Sequence, residues 1–172
     1  MSLTNFTKTL TWNDFTKVPA KPPRKFEDAS ISVTWDIDAS FGRQGNAIVI
    51  ASYTVNVFLV SEGCWVVTAV AAGPQSAELL KHEQGHFDIM AIGGREFHNR
   101  VGKLSAATED ELNKKITELR LEIESKTDLV DERYDTATNH SINKAVQQTW
   151  DQKLDAVKKN PKGTVADLPS AS

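Results

Sequence analysis

Cysteine is nearly missing from this chain. Cys64 is the only one in 172 residues, which excludes an internal disulfide and any zinc site built from several thiolates. Long apolar runs are missing too. No stretch approaches the roughly 20 residues that cross a bilayer, so no transmembrane segment is expected. Positive charge is not in excess: 20 Lys and Arg against 23 Asp and Glu leave a formal net charge of -3 and a pI near 5.8. A nucleic-acid binder gathers Lys and Arg on one face. The only basic clusters here, Lys21 to Lys25 and Lys158 to Lys162, flank prolines and read as solvated loop or tail, so no nucleic-acid partner is expected. The opening residues, Met1 to Asn5, lack a basic stretch followed by a roughly 7–15-residue apolar run, so no secretory signal is expected in these residues.

What is there suits a globular protein. Hydrophobic residues make up 40% and charged residues 25%, close to the soluble average, and the length suffices for one domain with its own core. A single domain is expected over residues 1–158. Residues 159–172, with Asn160-Pro161-Lys162-Gly163 and a Pro-Ser-Ala-Ser end, read as a flexible C-terminal tail. The chain has two halves of different character. Ile31 to Trp35, Ala47 to Val60 and Trp65 to Val70 carry the alternation and β-branched content of strands, with Gly42, Gly45 and Glu62-Gly63 as turn signals between them. After Gly73-Pro74 the pattern becomes helical. One helix is expected from Gln75-Ser76 toward Arg100, with Gly93-Gly94 as a weak point or a close-packing site. A second starts at the capping box Thr108 to Glu111 and runs to Lys126 with the stripe Leu112, Ile116, Leu119 and Ile123. A third carries Ile142, Val146, Trp150, Leu154 and Val157. The fold class is α+β: a small antiparallel sheet in the N-terminal half, then a helical C-terminal half.

The chemistry sits in Lys81-His82-Glu83-Gln84-Gly85-His86-Phe87-Asp88. Histidines four apart on a helix leave its axis about 40° apart, so both imidazoles can converge on one ion. Glu83 projects from the flank of that face, too offset to be a ligand but placed to act as base on a water at the ion. Neutral imidazoles suit Zn2+, and a catalytic zinc site has three protein ligands and an open position. With four histidines and 11 glutamates in the chain, the pattern arises by accident in roughly 0.6% of such sequences, so the metal reading outweighs a pair of packed or solvated histidines. The third ligand must come from elsewhere. His98 lies about 24 Å further along the same helix and is rejected. His140 and Asp135 remain, in Tyr134-Asp135-Thr136-Ala137-Thr138-Asn139-His140 at the expected start of the last helix, where Asp135 would equally serve as an N-cap.

The block Leu79 to Ile89, with Tyr134-Asp135-x-x-Thr138-x-His140, Gln148-x-Trp150 and the early Leu10-Thr11-Trp12-x-Asp14-Phe15, resembles the DUF922 family of predicted bacterial secreted zinc-dependent proteases. The resemblance runs from about Leu10 to Leu154. It implies a zinc metallopeptidase acting on a peptide or protein, and a secreted or periplasmic location, while the lack of a signal pattern in the opening residues keeps the cytoplasm open as an expectation. It favours His140 as third ligand over Asp135. The family places glycine after that histidine where this chain has Ser141, which would be strained if the backbone there needs a positive φ.

The expected reaction is amide hydrolysis with Glu83 as general base and Tyr134 as the phenol that donates to the oxyanion. Strand Trp65 to Val70 is expected to pair with an extended substrate. Asp135, if not a ligand, would orient an imidazole. Gly85 points to a close approach of backbone or substrate to the helix. Trp12, Trp35, Trp65 and Trp150 read as packing anchors, and Cys64 as a small buried hydrophobe. Two rival readings are a zinc-binding interaction module without turnover and a zinc hydrolase of a non-protein amide such as cell-wall peptide. Nothing in the sequence sets an oligomeric state.

Overall fold

A computed structural model describes residues 1–169. A pair of helices and the longest hairpin both pack on one central helix. That helix, α2 (Ser76–Val101), follows a short turn of helix, α1 (Thr68–Ala71), and precedes α3 (Glu109–Thr138) and α4 (Lys144–Lys159). Fifteen of the 26 residues of α2 are buried, because the β-hairpin covers one side and α3 with α4 covers the other. The architecture is α+β, strands mostly before Gly73 and helices after it.

The strands form two small sheets rather than one antiparallel sheet. In the first, β4 (Val33–Gln44) and β5 (Ala47–Leu59) pair antiparallel, β1 (Ser2–Thr4) adds to β5 in parallel, and β7 (Ser105–Ala106) also pairs with β5. In the second, β6 (Trp65–Val67) lies between β2 (Thr16–Val18), parallel, and β3 (Ala29–Ser30), antiparallel. The expected strand Trp65 to Val70 is thus a strand for three residues and turns into α1 at Thr68. Both edges of β6 are already paired, so it cannot receive a substrate strand.

Two apolar clusters hold the layers together. One joins Trp35, Val55 and Val57 of the hairpin to Phe87, Ala91 and Phe97 of α2; the other joins Ile89 and Ile92 of α2 to Val130, Tyr134, Trp150, Leu154 and Val157 of α3 and α4. Gly93 and Gly94 are close-packing sites and not a break: an added Cβ would meet Thr127 and Trp35 at Gly93, and Val57 at Gly94. The Trp65 and Cys64 side chains are buried, and Trp12 donates from its indole to Ser76 Oγ at the start of α2.

Three boundaries differ from expectation. Helix α3 extends twelve residues past Lys126, because its buried face continues as Thr127, Val130, Tyr134 and Thr138, polar enough to hide the period. The capping box at its start is shifted by one residue: Thr108 Oγ1 accepts from Glu111 N–H, while the Glu111 carboxylate accepts from Ala107 N–H. Helix α4 begins at Lys144, capped by the Asn143 side chain, and leaves Ile142 exposed instead of heading its stripe. Beyond Lys159 the expected flexible tail packs back. Arg95 donates to the carbonyls of Val157, Lys158 and Gly163, Thr164 and Asp167 cap a short turn, and Val165 and Leu168 are buried. The last three residues of that tail lie outside the described residues.

Candidate metal centre

Helices α2 and α3 set up the site by spacing alone. His82 and His86 lie one turn apart on α2; on α3, Asp131 and Asp135 lie one turn apart with Tyr134 between them on the facing side. Where the two helices pack, three atoms form a near-equilateral triangle: His82 Nε2 to Asp135 Oδ1 is 3.0 Å, His86 Nε2 to Asp135 Oδ1 is 3.1 Å, and the two Nε2 atoms are 3.2 Å apart. These residues are a group that can hold a metal ion.

The donor set fits an ion. A tetrahedral centre with bonds of about 2.0–2.1 Å spans donors about 3.3 Å apart, close to the three edges observed. The hydrogen bonds behind the rings make the same point. Gln147 Nε2 donates to Tyr134 Oη at 2.6 Å and to Asp151 at 2.8 Å, so its Oε1 must accept, and His82 donates to it from Nδ1 at 3.0 Å. His86 donates from Nδ1 to Asp131 at 2.7 Å. With both Nδ1 protons placed, the lone pair of His82 Nε2 faces the carboxylate oxygen and the Nε2 of His86 across 3.0–3.2 Å. Lone pairs crowded at that range need a cation between them, whether a proton or a metal.

The titration of these groups reflects that crowding. Burial works to lower the His86 pKa, but its bonds to Asp131 and Asp135 and the nearby carboxylates outweigh it and raise it to about 10. Burial works to raise that of Asp135, yet hydrogen bonds from His82 and His86 hold it well below the usual carboxylate range. Glu83 is only 4% exposed. Burial raises its pKa to about 7, with Asp135, Asp131 and Glu27 adding to the effect and His86 opposing it. Among the described residues no hydrogen bond engages the Glu83 carboxylate, and its oxygens are not sealed in, since the residue borders the cleft that holds the triangle. That cleft measures ≈ 820 Å³ and is walled by the segment from Phe26 to Ile31 on one side and the α3–α4 turn on another.

Each residue expected from the sequence has a definite place. The third corner of the triangle is Asp135, inside α3 and not at an N-cap, rather than His140. His140 stands beside it in the turn after α3, 62% exposed, with Nδ1 3.3 Å from the same Asp135 oxygen. Its ring nitrogens do not join the group of three. Tyr134 is fully buried and does not line the cleft. Its hydroxyl donates to the His82 carbonyl at 3.0 Å and accepts from Gln147, and its ring stacks on His82 at 4.8 Å. Burial raises its pKa, and the phenol is already occupied, so its position supports His82 from behind. His98 lies near the far end of α2, its carbonyl accepting from Tyr53.

The remaining residues of the histidine block also have structural causes. Gly85 is required because a Cβ there would lie 2.2 Å from Tyr134 Oη; the close approach is by a side chain. Gln84 accepts from Leu10 N–H and donates to the Lys8 carbonyl and to Asp88, which pairs with Lys158 at 2.6 Å, tying the segments around Lys8 and Lys158 to the helix that carries both histidines. Asp131 and Gln147, which orient the two imidazoles, were not singled out from sequence. The i, i+4 pair Asp131 and Asp135 opposite a histidine pair was a signal that could have found the first; Gln147 had none.

The turn carrying His140 is left-handed throughout: φ is 47° at Asn139, 49° at His140 and 73° at Ser141. The strain expected for serine in place of glycine at 141 is therefore present.

Residues 74–141, which span all of α2, all of α3 and this turn as far as Ser141, match a protein family described as bacterial protein of unknown function (DUF922). No curated protein and no solved structure matches the chain. Over that segment the chain is similar to a family whose description assigns no activity, so the metal-binding geometry, shared by residues inside the matched segment and Gln147 outside it, is what speaks to function.

Proposed function

We propose that this protein is a zinc-dependent hydrolase of amide bonds, with peptides as substrates, in which His82, His86 and Asp135 hold the ion and Glu83 is the general base. The observation that carries this reading is the unpaired Glu83 carboxylate, buried next to three convergent ligand atoms on the wall of an open cleft.

A zinc ion held there would act as a Lewis acid on the substrate carbonyl and lower the pKa of water toward 7. Asp131 and Gln147 fix the ring orientations, keeping both Nε2 lone pairs aimed at one point. Glu83 takes the proton of the attacking water on its carboxylate and returns it to the nitrogen of the leaving amine. A carboxylate with a pKa near 7 is suited to both transfers, and a zinc charge beside it would shift it toward the ionised form that begins the cycle. Of the second sheet, β3 is the edge strand that borders the cleft, through Asp28 to Ile31, so an extended substrate would lie along β3.

A metal-binding module without turnover would gain nothing from an unpartnered buried carboxylate, which costs stability. The test is Glu83→Gln. Zinc content should stay at the wild-type level while hydrolysis of a casein or peptide substrate falls by about 10²–10⁴-fold. Wild-type turnover in the variant would remove Glu83 from the mechanism.

A further inference from the structure

Only five large apolar side chains are strongly exposed among the described residues, and two of them, Phe26 at 90% and Ile142 at 71%, border the same cleft as the metal-binding group. They reach it from different walls: Phe26 from the loop before β3, Ile142 from the turn that also carries His140. Between them the cleft has half-buried apolar lining from Ile31, Val70 and Leu79. Leu79 is three residues before His82 and four before Glu83 on α2, which places it on the same helix face and about 5–6 Å from both. Ile142 is two residues past His140, whose ring touches Asp135. The polar, metal-binding half of the cleft therefore continues directly into an apolar half with an open lip.

From this we infer that the cleft selects an extended peptide with a large apolar side chain beside the scissile amide, seated against Leu79 and Val70 and covered by Phe26 and Ile142. The inference rests on the hydrolase reading above and names its substrate class. The occupant is a peptide and not a second copy or a membrane because the half-buried lining, Ile31, Val70 and Leu79, lies inside the cleft next to the reacting groups, where a flat partner resting on the Phe26 and Ile142 lip cannot follow. An extended chain along β3 would point alternate side chains toward the α2 floor.

The experiment uses the full chain loaded with zinc and carrying Glu83→Gln, so that binding is read without turnover. Fluorescein-labelled peptides that differ only in one central residue, Leu or Phe against Ser or Asp, are titrated by anisotropy. The apolar peptides should bind about tenfold tighter or more. Adding Phe26→Ser and Ile142→Ser, both at exposed positions, should abolish that preference while zinc content stays constant. Equal affinity for all four peptides, no binding of any, or a preference that survives the double substitution overturns the inference. A loss of self-association in the double variant, with peptide preference intact, would assign these side chains to an interface between copies and equally overturn it. The same peptides given to wild-type protein separate the two ideas. Selective binding without hydrolysis sinks the hydrolase reading and leaves the subsite standing; hydrolysis indifferent to the central residue does the reverse.

Discussion

Replacing Gly85 by alanine should cost this protein both stability and metal affinity. A methyl carbon normally keeps about 3.5 Å from a neighbouring ring atom, whereas a Cβ at 85 would lie 2.2 Å from Tyr134 Oη and 2.4 Å from Cζ. Ring and helix must therefore separate by about 1 Å. The ring has nowhere to go: it is fully buried, stacked on His82, set edge-on to Trp150, and anchored through its hydroxyl to the His82 carbonyl and Gln147. Overpacking of a tight core costs ~1–3 kcal/mol, and losing one of the buried hydrogen bonds adds ~1–3 kcal/mol. The better helix propensity of alanine returns about 1 kcal/mol. A net loss of about 1–5 kcal/mol should move the urea midpoint down by about 0.5–2.5 M at a slope of about 2 kcal/mol/M. Because Gln147 orients His82, zinc affinity should also fall by about 10–100-fold. An alanine variant as stable as wild type, with unchanged zinc affinity, would show that Tyr134 does not press on α2 here and that the support assigned to it is wrong.

Further outcomes follow from the same geometry. Ser141→Gly should stabilise the protein by about 0.5–1 kcal/mol in thermal unfolding, since relief of the left-handed serine exceeds the entropy cost of glycine; no gain would mean that the turn is not left-handed. In the metal-free chain His86, with its pKa raised to about 10, is protonated at neutral pH, so an incoming ion must displace that proton. Affinity for zinc should rise with pH up to about 10, with proton release visible as a buffer dependence of the binding heat. The sign is opposite for the metal-free fold: a raised histidine pKa stabilises it fully below about 6.5, and that contribution is lost as pH rises through about 10. Asp131→Asn should weaken zinc binding by about 10–100-fold without unfolding the chain, measured by competition with a chelator; unchanged affinity would remove it from the support of His86.

The sequence was most legible where one residue pattern served one purpose. The i, i+4 histidines with the intervening glutamate marked the ligand helix, and the stripe from Leu112 to Ile123 marked the helix that packs on it, because apolar spacing alone positions both. It was least legible where a polar face is buried. On α3 the residues Asp131, Tyr134 and Asp135 turn inward to the two histidines, and Thr127 turns inward against Gly93, so the period that identifies a helix is masked by the polar residues on its buried face. That concealed both the length of α3 and the standing of Asp135, which only a helical register places opposite His82 and His86. The short strands Ser2–Thr4 and Thr16–Val18 carry too few residues to show alternation and owe their pairing to a hairpin distant in sequence and to β6. The packed end of the chain depended on Arg95, a long-range donor to three carbonyls, which no local pattern announces.

Zinc retention decides whether Asp135 or His140 completes the proposed metal site with His82 and His86. Zinc stoichiometry by elemental analysis should be compared, after dialysis against a weak chelator, for wild type, Asp135→Ala and His140→Ala. One zinc per chain in wild type and in His140→Ala, with zinc lost from Asp135→Ala, is the result predicted. Zinc kept by Asp135→Ala and lost from His140→Ala, or no zinc bound by the wild-type protein, would contradict it.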